Sequence, residues 1–180
     1  MVIPDWVWPL FEASLGADAT QEAALLKQRA PVFLRVNQRK VTRDKAIAEL
    51  AEEQIIAVPH ALSETALEVL EGARKVALSE TFEVGMVELQ DAASQAVVDF
   101  LPLEGATRIL DYCAGGGGKS LAIAARADAR IVAYDIDEKR MRDLPARAKR
   151  AGCGLAEWCQ DSGAICAQLR GRRREQRAAR

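Results

Sequence analysis

The sequence predicts an α/β fold made of two consecutive parts. Over residues 91–161, strand-type apolar runs alternate with helix-compatible segments, and this alternation is typical of a parallel sheet with right-handed crossovers. Over residues 31–90, short strand-type runs flank a helix, which favours a small α+β module. Four consecutive glycines (115–118) separate the first strand and helix of the later part. A strand, a glycine turn and a helix start together make up a nucleotide-type cofactor site.

Composition limits the class of protein. The chain has 180 residues, of which 49% are apolar and 28% charged, so we expect a soluble globular protein with one ordinary domain or two small ones. Its apolar runs are too short for a membrane span, and its start lacks a basic segment followed by an apolar one. We therefore predict a cytoplasmic protein with no membrane partner.

Charge is distributed unevenly along the chain. Residues 139–180 carry 12 Lys and Arg against 4 Asp and Glu, whereas residues 1–138 carry 13 against 22. Such asymmetry indicates either a face that binds nucleic acid or a basic tail. A solvated tail without a partner is the alternative.

The cysteines and the histidine favour neither a metal site nor a hydrolytic triad. Cys113, Cys153, Cys159 and Cys166 match no zinc or redox spacing, and we expect them to be unpaired small apolar residues. His60 is the only histidine, which argues against a Ser-His-Asp triad. We predict no metal.

The first part of the chain is predicted to be a helical segment followed by the module. Residues 1–30 should form two helices separated at Gly16. The elements predicted for the module are a strand at 31–37, a helix at 43–53 capped by Thr42, a strand at 54–58, an undecided segment at 63–72, and strands at 75–78 and 86–89 around Gly85. Five basic residues cluster at one end and would contact phosphates or be isolated exposed charges: Arg35, Arg39, Lys40, Arg43 and Lys45.

The second part should begin with a helix and continue as a sheet. The predicted elements are helices at 91–101, 118–127 and 138–151, and strands at 108–113, 130–135 and 154–159. Pro145 should interrupt the last helix after Arg142. After Asp161 we predict only a basic, atypical tail (162–180), so the sheet is incomplete, with about three parallel strands. Such a sheet would leave edges and one face uncovered.

Three kinds of glycine loop compete for residues 113–120. A phosphate-binding Walker loop needs glycine where Cys113 stands, and a dinucleotide loop needs its third glycine where Ser120 or Leu121 stands. A loop for S-adenosyl-L-methionine pairs the glycine turn with a second strand that ends in an acid for the ribose hydroxyls. Asp135 ends such a strand about 18 residues beyond the glycines. Alternatively, Asp135 would cap the next helix, a role that Asp137 could take.

Several segments together resemble one family, the Sun-type RNA cytosine-5 methyltransferases. Residues 111–120 (DYCAGGGGKS) resemble its D-x-C-A-A-P-G-G-K-T signature. The other matching segments, in the expected order, are LRVN at 34–37, QDAASQ at 90–95, VAYDID at 132–137 and QD at 160–161. The resemblance covers about residues 31–161. It departs from the family at Gly115 and Gly116, which stand where the family usually has Ala-Pro.

The resemblance implies a Rossmann-like domain that binds S-adenosylmethionine, preceded by a small α+β RNA-recognition module. It implies that the cofactor loop consists of Cys113, Ala114, Gly115, Gly116, Gly117, Gly118 and Lys119. By the same resemblance Asp135 would hold the ribose, and Asp161 would lie near the adenine. The implied substrate is ribosomal or transfer RNA. Glycine in place of proline at 116 would leave the loop more mobile.

The family's chemistry requires residues that this sequence does not show. In the family, a cysteine thiolate adds to C6 of cytosine so that C5 can attack the methyl group, and a second cysteine assists release. These cysteines lie in D-x-P-C and T-C segments beyond the third strand, and neither string occurs here. We therefore name no catalytic residue and expect a truncated or frame-shifted chain. The alternatives are a non-catalytic RNA-binding protein and a small-molecule methyltransferase.

Overall fold

The computed structural model describes residues 3–159 and 165–170, and it divides the chain into two compact units, Met1–Pro31 and Val32–Arg180. In the first unit, helix α1 (Trp8–Leu15) is followed by a 3-10 turn (Gly16–Asp18) and helix α2 (Ala19–Leu25). Gly16 ends α1 with a positive φ of 55°. The predicted pair of helices with a break at Gly16 is confirmed.

The second unit begins with an antiparallel sheet, here called the first sheet. Its strands are β1 (Val32–Val36), β2 (Ile56–Pro59), β3 (Ala66–Glu71) and β4 (Val87–Leu89), in the spatial order β2-β3-β1-β4. Helix α3 (Arg43–Glu52) starts as predicted, because the Thr42 side chain accepts a hydrogen bond from the Lys45 amide at 3.4 Å. The segment left undecided, 63–72, contains β3.

One predicted strand of the module is wrong. Residues 75–78 do not pair, and a 3-10 turn spans Val76–Leu78. Gly72 has a φ of 77° and Val76 alone is buried in the turn, so this short apolar run follows a helical path instead. Helix α4 (Glu80–Glu83), which the sequence did not predict, follows, and the Ser79 hydroxyl accepts from the Phe82 amide at its start.

The first sheet has its own apolar core against α3. The core residues share nearly complete burial, and the largest are Leu34, Val36, Leu50, Ile55, Leu67 and Val76. Strand β1 lies between β3 and β4 and supplies two of these side chains, Leu34 and Val36. Burial of several branched side chains at one place is what stabilises this sheet.

The later part of the unit alternates helices and strands around a second sheet. Its elements are α5 (Ala92–Asp99), β5 (Arg108–Asp111), α6 (Gly118–Arg126), β6 (Arg130–Asp135), α7 (Glu138–Met141), α8 (Leu144–Ala151), β7 (Gly154–Cys159) and β8 (Ile165–Arg170). The predicted interruption near Pro145 is confirmed, since α7 ends at Met141 and Pro145 lies in the first turn of α8. Asp91 caps α5 by accepting from the amides of Ala93 and Ser94.

The strand order of the second sheet corrects the prediction of about three parallel strands. The order is β5-β6-β8-β7; β5 and β6 are parallel, and β8 pairs antiparallel with both β6 and β7. The segment predicted as a basic, atypical tail (162–180) therefore contains a strand. Residues 165–170 (ICAQLR) do not alternate regularly between apolar and polar side chains, which is why the local pattern did not reveal it. Residues 160–164 and 171–180 lie outside the described residues.

Over β5 and β6, the second sheet buries side chains on one face and exposes side chains on the other. On the covered face, the side chains of Leu121, Ile131, Met141 and Leu144 are almost fully buried. On the opposite face, Leu110 is 61% exposed and Tyr112 is also exposed, and its ring stacks on that of Tyr134 at 4.8 Å. This agrees with the uncovered sheet face that the sequence predicts. In the described ranges, no helix is long and apolar enough to cross a membrane.

Candidate cofactor site

A short glycine loop, defined as residues 112–117, connects β5 to α6. The Ala114 amide donates to the Tyr134 carbonyl at 2.8 Å, and the Gly117 amide donates to the Ala114 carbonyl at 2.8 Å. Asp111, the last residue of β5, accepts a hydrogen bond from the Ser120 hydroxyl at 2.6 Å. These bonds hold the loop against the end of β6 and join the end of β5 to the first turn of α6.

Gly117 is required by both its backbone and its surroundings. It precedes α6 with a φ of 77°, a conformation that side chains with a Cβ rarely adopt. A Cβ at this position would also lie 2.2 Å from Cδ1 of Leu144, which is fully buried. The close approach of Leu144 explains why the last loop position is glycine.

Asp135 is the acidic residue of the site. Its carboxylate is only 2% exposed and accepts hydrogen bonds from the Asp137 amide at 3.0 Å and the Gly115 amide at 2.8 Å. These two donors, with Arg140 Nη1 3.9 Å from Oδ2, lower the pKa of Asp135 below its ordinary value. The carboxylate is therefore ionised at neutral pH and lies directly under the loop.

The structure bears on one of the two roles considered for Asp135, that of the helix cap. Asp137 is the residue that caps α7, and its side chain accepts from the Lys139 amide at 3.0 Å. Asp135 is thus not needed as the cap, and its side chain is directed to the glycine loop.

The predicted site residues are only partly brought together. Gly115 and Asp135 are in direct contact, and Ala114 is half-buried beside them. Cys113 is an exposed free thiol, and Lys119 is exposed in the first turn of α6. Asp161 lies outside the described residues, so its predicted place near an adenine stays a prediction.

Two arginines that sequence reasoning did not assign to this site contact the loop and the helix that follows it. Arg35 of β1 donates from Nη1 to the Gly118 carbonyl at 2.7 Å and to Gln90 Oε1 at 2.5 Å. Arg147 of α8 donates to the Gly116 carbonyl and lies 3.4 Å from Glu88 Oε2. The only sequence signal was indirect: Arg35 and Gln90 lie in two of the segments that carry the family resemblance.

The cluster of basic residues in the module does not form an exposed phosphate-binding surface. Arg35 is buried, and burial lowers its pKa to about 10, so it stays charged at neutral pH. Arg39 donates to the Ala127 carbonyl at 3.0 Å. Lys40 donates from Nζ to the carbonyls of Val84 and Arg150, both at 2.6 Å. Arg43 donates to the Glu64 carbonyl at 3.4 Å, so four of the five cations bind backbone carbonyls.

The described residues contain no group of three or more His, Cys, Asp or Glu side chains that could hold a metal ion. Cys113 and Cys153 are free cysteines. Burial raises the pKa of the Cys153 thiol, even with Arg39, Arg35 and Lys40 nearby, so this thiol is protonated at neutral pH.

Taken together, the fold and the site define a class: a Rossmann-like α/β domain with a glycine loop and an acidic strand end, joined to a small antiparallel module. Both strands, β5 and β6, end at the same edge, which is where such sheets bind ligands. The Gly115 amide and the Asp135 carboxylate meet at this edge at 2.8 Å.

Comparison with known proteins agrees with this class. A family model described as "Methyltr_RsmF/B-like, ferredoxin-like domain" matches residues 3–77. The ribosomal RNA small subunit methyltransferase B of Citrobacter koseri is 34% identical over 167 residues, which cover 87% of this chain and 39% of that protein. These matches support a family of the Sun and methyltransferase B type for this chain.

Solved structures show the same fold. The crystal structure of the protein PH0851 superposes with a TM-score of 0.74 at 25% identity, covering 83% of this chain and 34% of that one. The structure of NSun6 from Pyrococcus horikoshii with SFG has a TM-score of 0.71 at 16% identity, covering 84% of this chain and 63% of that one. The chain spans about two fifths of the length of the curated relatives that it matches.

Proposed function

We propose that this chain binds S-adenosylmethionine and serves the methylation of cytosine C5 in RNA, with small-subunit ribosomal RNA as the substrate and the cytoplasm as the location. One observation carries the proposal: the Gly115 amide and the Asp135 carboxylate meet at 2.8 Å at the shared end of β5 and β6. The curated relatives named as small-subunit ribosomal RNA methyltransferases support the choice of RNA over a small molecule and over transfer RNA.

The carboxylate of Asp135 has room for more partners than it now has. An ionised carboxylate offers about four acceptor positions, and the amides of Gly115 and Asp137 use two of them. Because Asp135 is almost fully buried, the ribose hydroxyls would reach it only after the Gly115 amide moves away. Glycines at 115 and 116 make that movement less costly than the family's Ala-Pro would. When bound, S-adenosylmethionine supplies an activated methyl group on a sulfonium.

Calorimetric titration of the chain with three cofactors tests the proposal. We expect saturable binding of S-adenosylmethionine and no binding of ATP or NAD⁺, because the loop matches neither the Walker nor the dinucleotide pattern. Binding of ATP or NAD⁺ alone would contradict the proposal. Failure of all three to bind would equally contradict it.

A second candidate, a non-catalytic RNA-binding protein, is favoured by the excess of Lys and Arg over residues 139–180. Filter binding of small-subunit ribosomal RNA at several salt concentrations addresses it. We expect the affinity to fall steeply with salt if phosphate contacts dominate. Salt-sensitive RNA binding without any binding of S-adenosylmethionine would favour this candidate over the first.

A further inference from the structure

Arg35 is an unusual residue for the inner strand of a small sheet. It is 4% exposed, and burial depresses its pKa, so keeping a charged guanidinium there costs free energy. Among the described residues, its Nε has no hydrogen-bond partner. One of its bonds goes to Gln90, directly after β4 of the same sheet, and the other leads away from the sheet to the Gly118 carbonyl 83 positions later in the chain.

Arg147 approaches the glycines from the other side. It donates to the Gly116 carbonyl and is anchored by Glu88, which also accepts from Arg150 at 2.8 Å. A Cβ at position 116 would lie 2.8 Å from Arg147 Nη1. With glycine at 116, where the family usually has proline, the guanidinium reaches this position without having to shift.

Holding a carbonyl also orients the next amide. The peptide unit is planar and trans, so the carbonyl of one residue and the N–H of the next point in opposite directions. Arg35 on the Gly118 carbonyl thereby orients the Lys119 amide, which lies in the first turn of α6. Arg147 on the Gly116 carbonyl orients the Gly117 amide, which donates to the Ala114 carbonyl at 2.8 Å and so fixes the turn of the loop. The amides in the first turn of a helix have no partner within the helix and are the groups offered to a ligand.

We propose that Arg35 and Arg147 are positioning residues for the cofactor, which hold the peptide planes at 116–117 and 118–119 in the orientation that binding needs. The small antiparallel module is then a part of the cofactor site, because β1 supplies one of the two arginines. This inference rests on the proposed function for its ligand but not for its geometry.

Asn37, two positions after Arg35, provides a matched control. It is also buried on the path of β1, and its Nδ2 donates to the carbonyls of Gly85 at 3.1 Å and Ala151 at 2.9 Å. Like Arg35, it joins the first sheet to the later part of the unit, but it does not touch the glycine loop. Loss of Asn37 therefore reports on a structural link alone.

The experiment compares Arg35→Met, Arg35→Lys, Arg147→Met and Asn37→Ala in the full chain by three measurements. These are thermal unfolding, hydrogen exchange of residues 111–121, and calorimetric affinity for S-adenosylmethionine. We expect both Met variants to exchange faster over 111–121 and to bind about 10- to 100-fold more weakly, as loss of a charged hydrogen bond implies. Arg35→Lys keeps the charge and should fall between wild type and Arg35→Met. Asn37→Ala should unfold at a lower temperature with both site measurements unchanged.

The outcomes distinguish the positioning role of the two arginines from the proposed binding of S-adenosylmethionine. If the Met variants lower the unfolding temperature as Asn37→Ala does but leave exchange over 111–121 unchanged, the positioning role is overturned. If Arg35→Met does not fold, Arg35→Lys and Arg147→Met decide by the same criterion. If wild type does not bind S-adenosylmethionine, the proposed function fails, and the exchange measurement by itself supports or overturns the positioning role.

Discussion

The two sheets of this chain have the same number of described strands but differ in what covers them. In the first sheet, β1 is covered on both faces, so that Leu34 is 0% exposed and its neighbour Arg35 is buried as well. In the second sheet, β6 buries Ile131 and Ala133 on one face, while Leu110 on the adjacent strand is 61% exposed on the other. Strand β1 is thus buried on both faces, whereas the candidate site lies at the ends of β5 and β6, which have an exposed face.

This difference suggests how the chain holds a site on a half-covered sheet. Arg35 of β1 donates a hydrogen bond to the Gly118 carbonyl at the start of α6. Arg147 of α8 donates one to the Gly116 carbonyl of the glycine loop. A strand that is buried on both faces, β1, thus stabilises the start of α6 beside the half-covered sheet. The predictions below test this division by paired substitutions.

The largest effect should come from truncating a leucine in each sheet. Leu34→Ala removes a fully buried side chain and should lower the free energy of unfolding by about 2–5 kcal/mol. Leu110→Ala removes an exposed one, and its effect should stay within about 0.5 kcal/mol. Chemical denaturation of both variants gives the two values. Equal destabilisation would mean that the exposed face of the second sheet is covered in solution.

The sequence pattern predicted the central strand and the helix that form the core of the first sheet, but it did not predict every turn of the chain between them. The strand containing Leu34 and the helix capped by Thr42 follow from apolar spacing and a local hydrogen bond. The strand predicted at 75–78 was wrong because a segment of four residues, of which only Val76 is buried, fits a turn as well as a strand. A sequence pattern identifies a helix or strand when several apolar side chains share its spacing, and here only one side chain is buried.

The next effect compares two glycines with the same backbone conformation. Gly105 and Gly117 have φ values of 71° and 77°, but only Gly117 faces a neighbour, Cδ1 of Leu144. Both Ala variants should be strained, and Gly117→Ala should lose about 1–3 kcal/mol more because it overpacks a buried residue. Thermal unfolding of the pair isolates this difference. Similar unfolding temperatures would show that Leu144 moves aside freely.

A smaller effect concerns the pH dependence of stability that Glu53 should contribute. Burial raises the pKa of Glu53, but hydrogen bonds from the Thr81 hydroxyl and the amides of Thr81 and Glu80 outweigh it, and the net pKa is lowered from 4.5. The stabilisation is therefore complete above pH 4.5 and is lost as the pH falls through the lowered value.

Glu53→Gln should accordingly unfold about 2–4 °C below wild type at pH 7, and the gap should close as the pH falls below 4.5. Unfolding temperatures measured from pH 7 to pH 3 check this prediction. A gap that is independent of pH would assign the effect to shape and not to charge. Glu68→Gln, also half-buried in this region, serves as the control.

Only the part of the site that is formed by the glycines and Asp135 could be predicted from the sequence. The glycines and Asp135 stand at a spacing that the sequence shows, and the structure brings Gly115 and Asp135 into contact. Arg35 could not be assigned to the site from spacing, because 83 positions separate it from Gly118 and its strand must first pair within another sheet. The antiparallel strand β8 was missed for a different reason, since residues 165–170 do not alternate regularly between apolar and polar side chains.

The most direct test of the account is the affinity for S-adenosylmethionine of wild type, Asp135→Ala and Asp137→Ala, measured by calorimetry. Asp137 is a suitable control because its side chain caps α7, while only its backbone amide touches Asp135. We predict that wild type and Asp137→Ala bind alike, and that Asp135→Ala, though folded, binds about 10- to 100-fold more weakly. Equal affinity of Asp135→Ala and wild type would contradict the account.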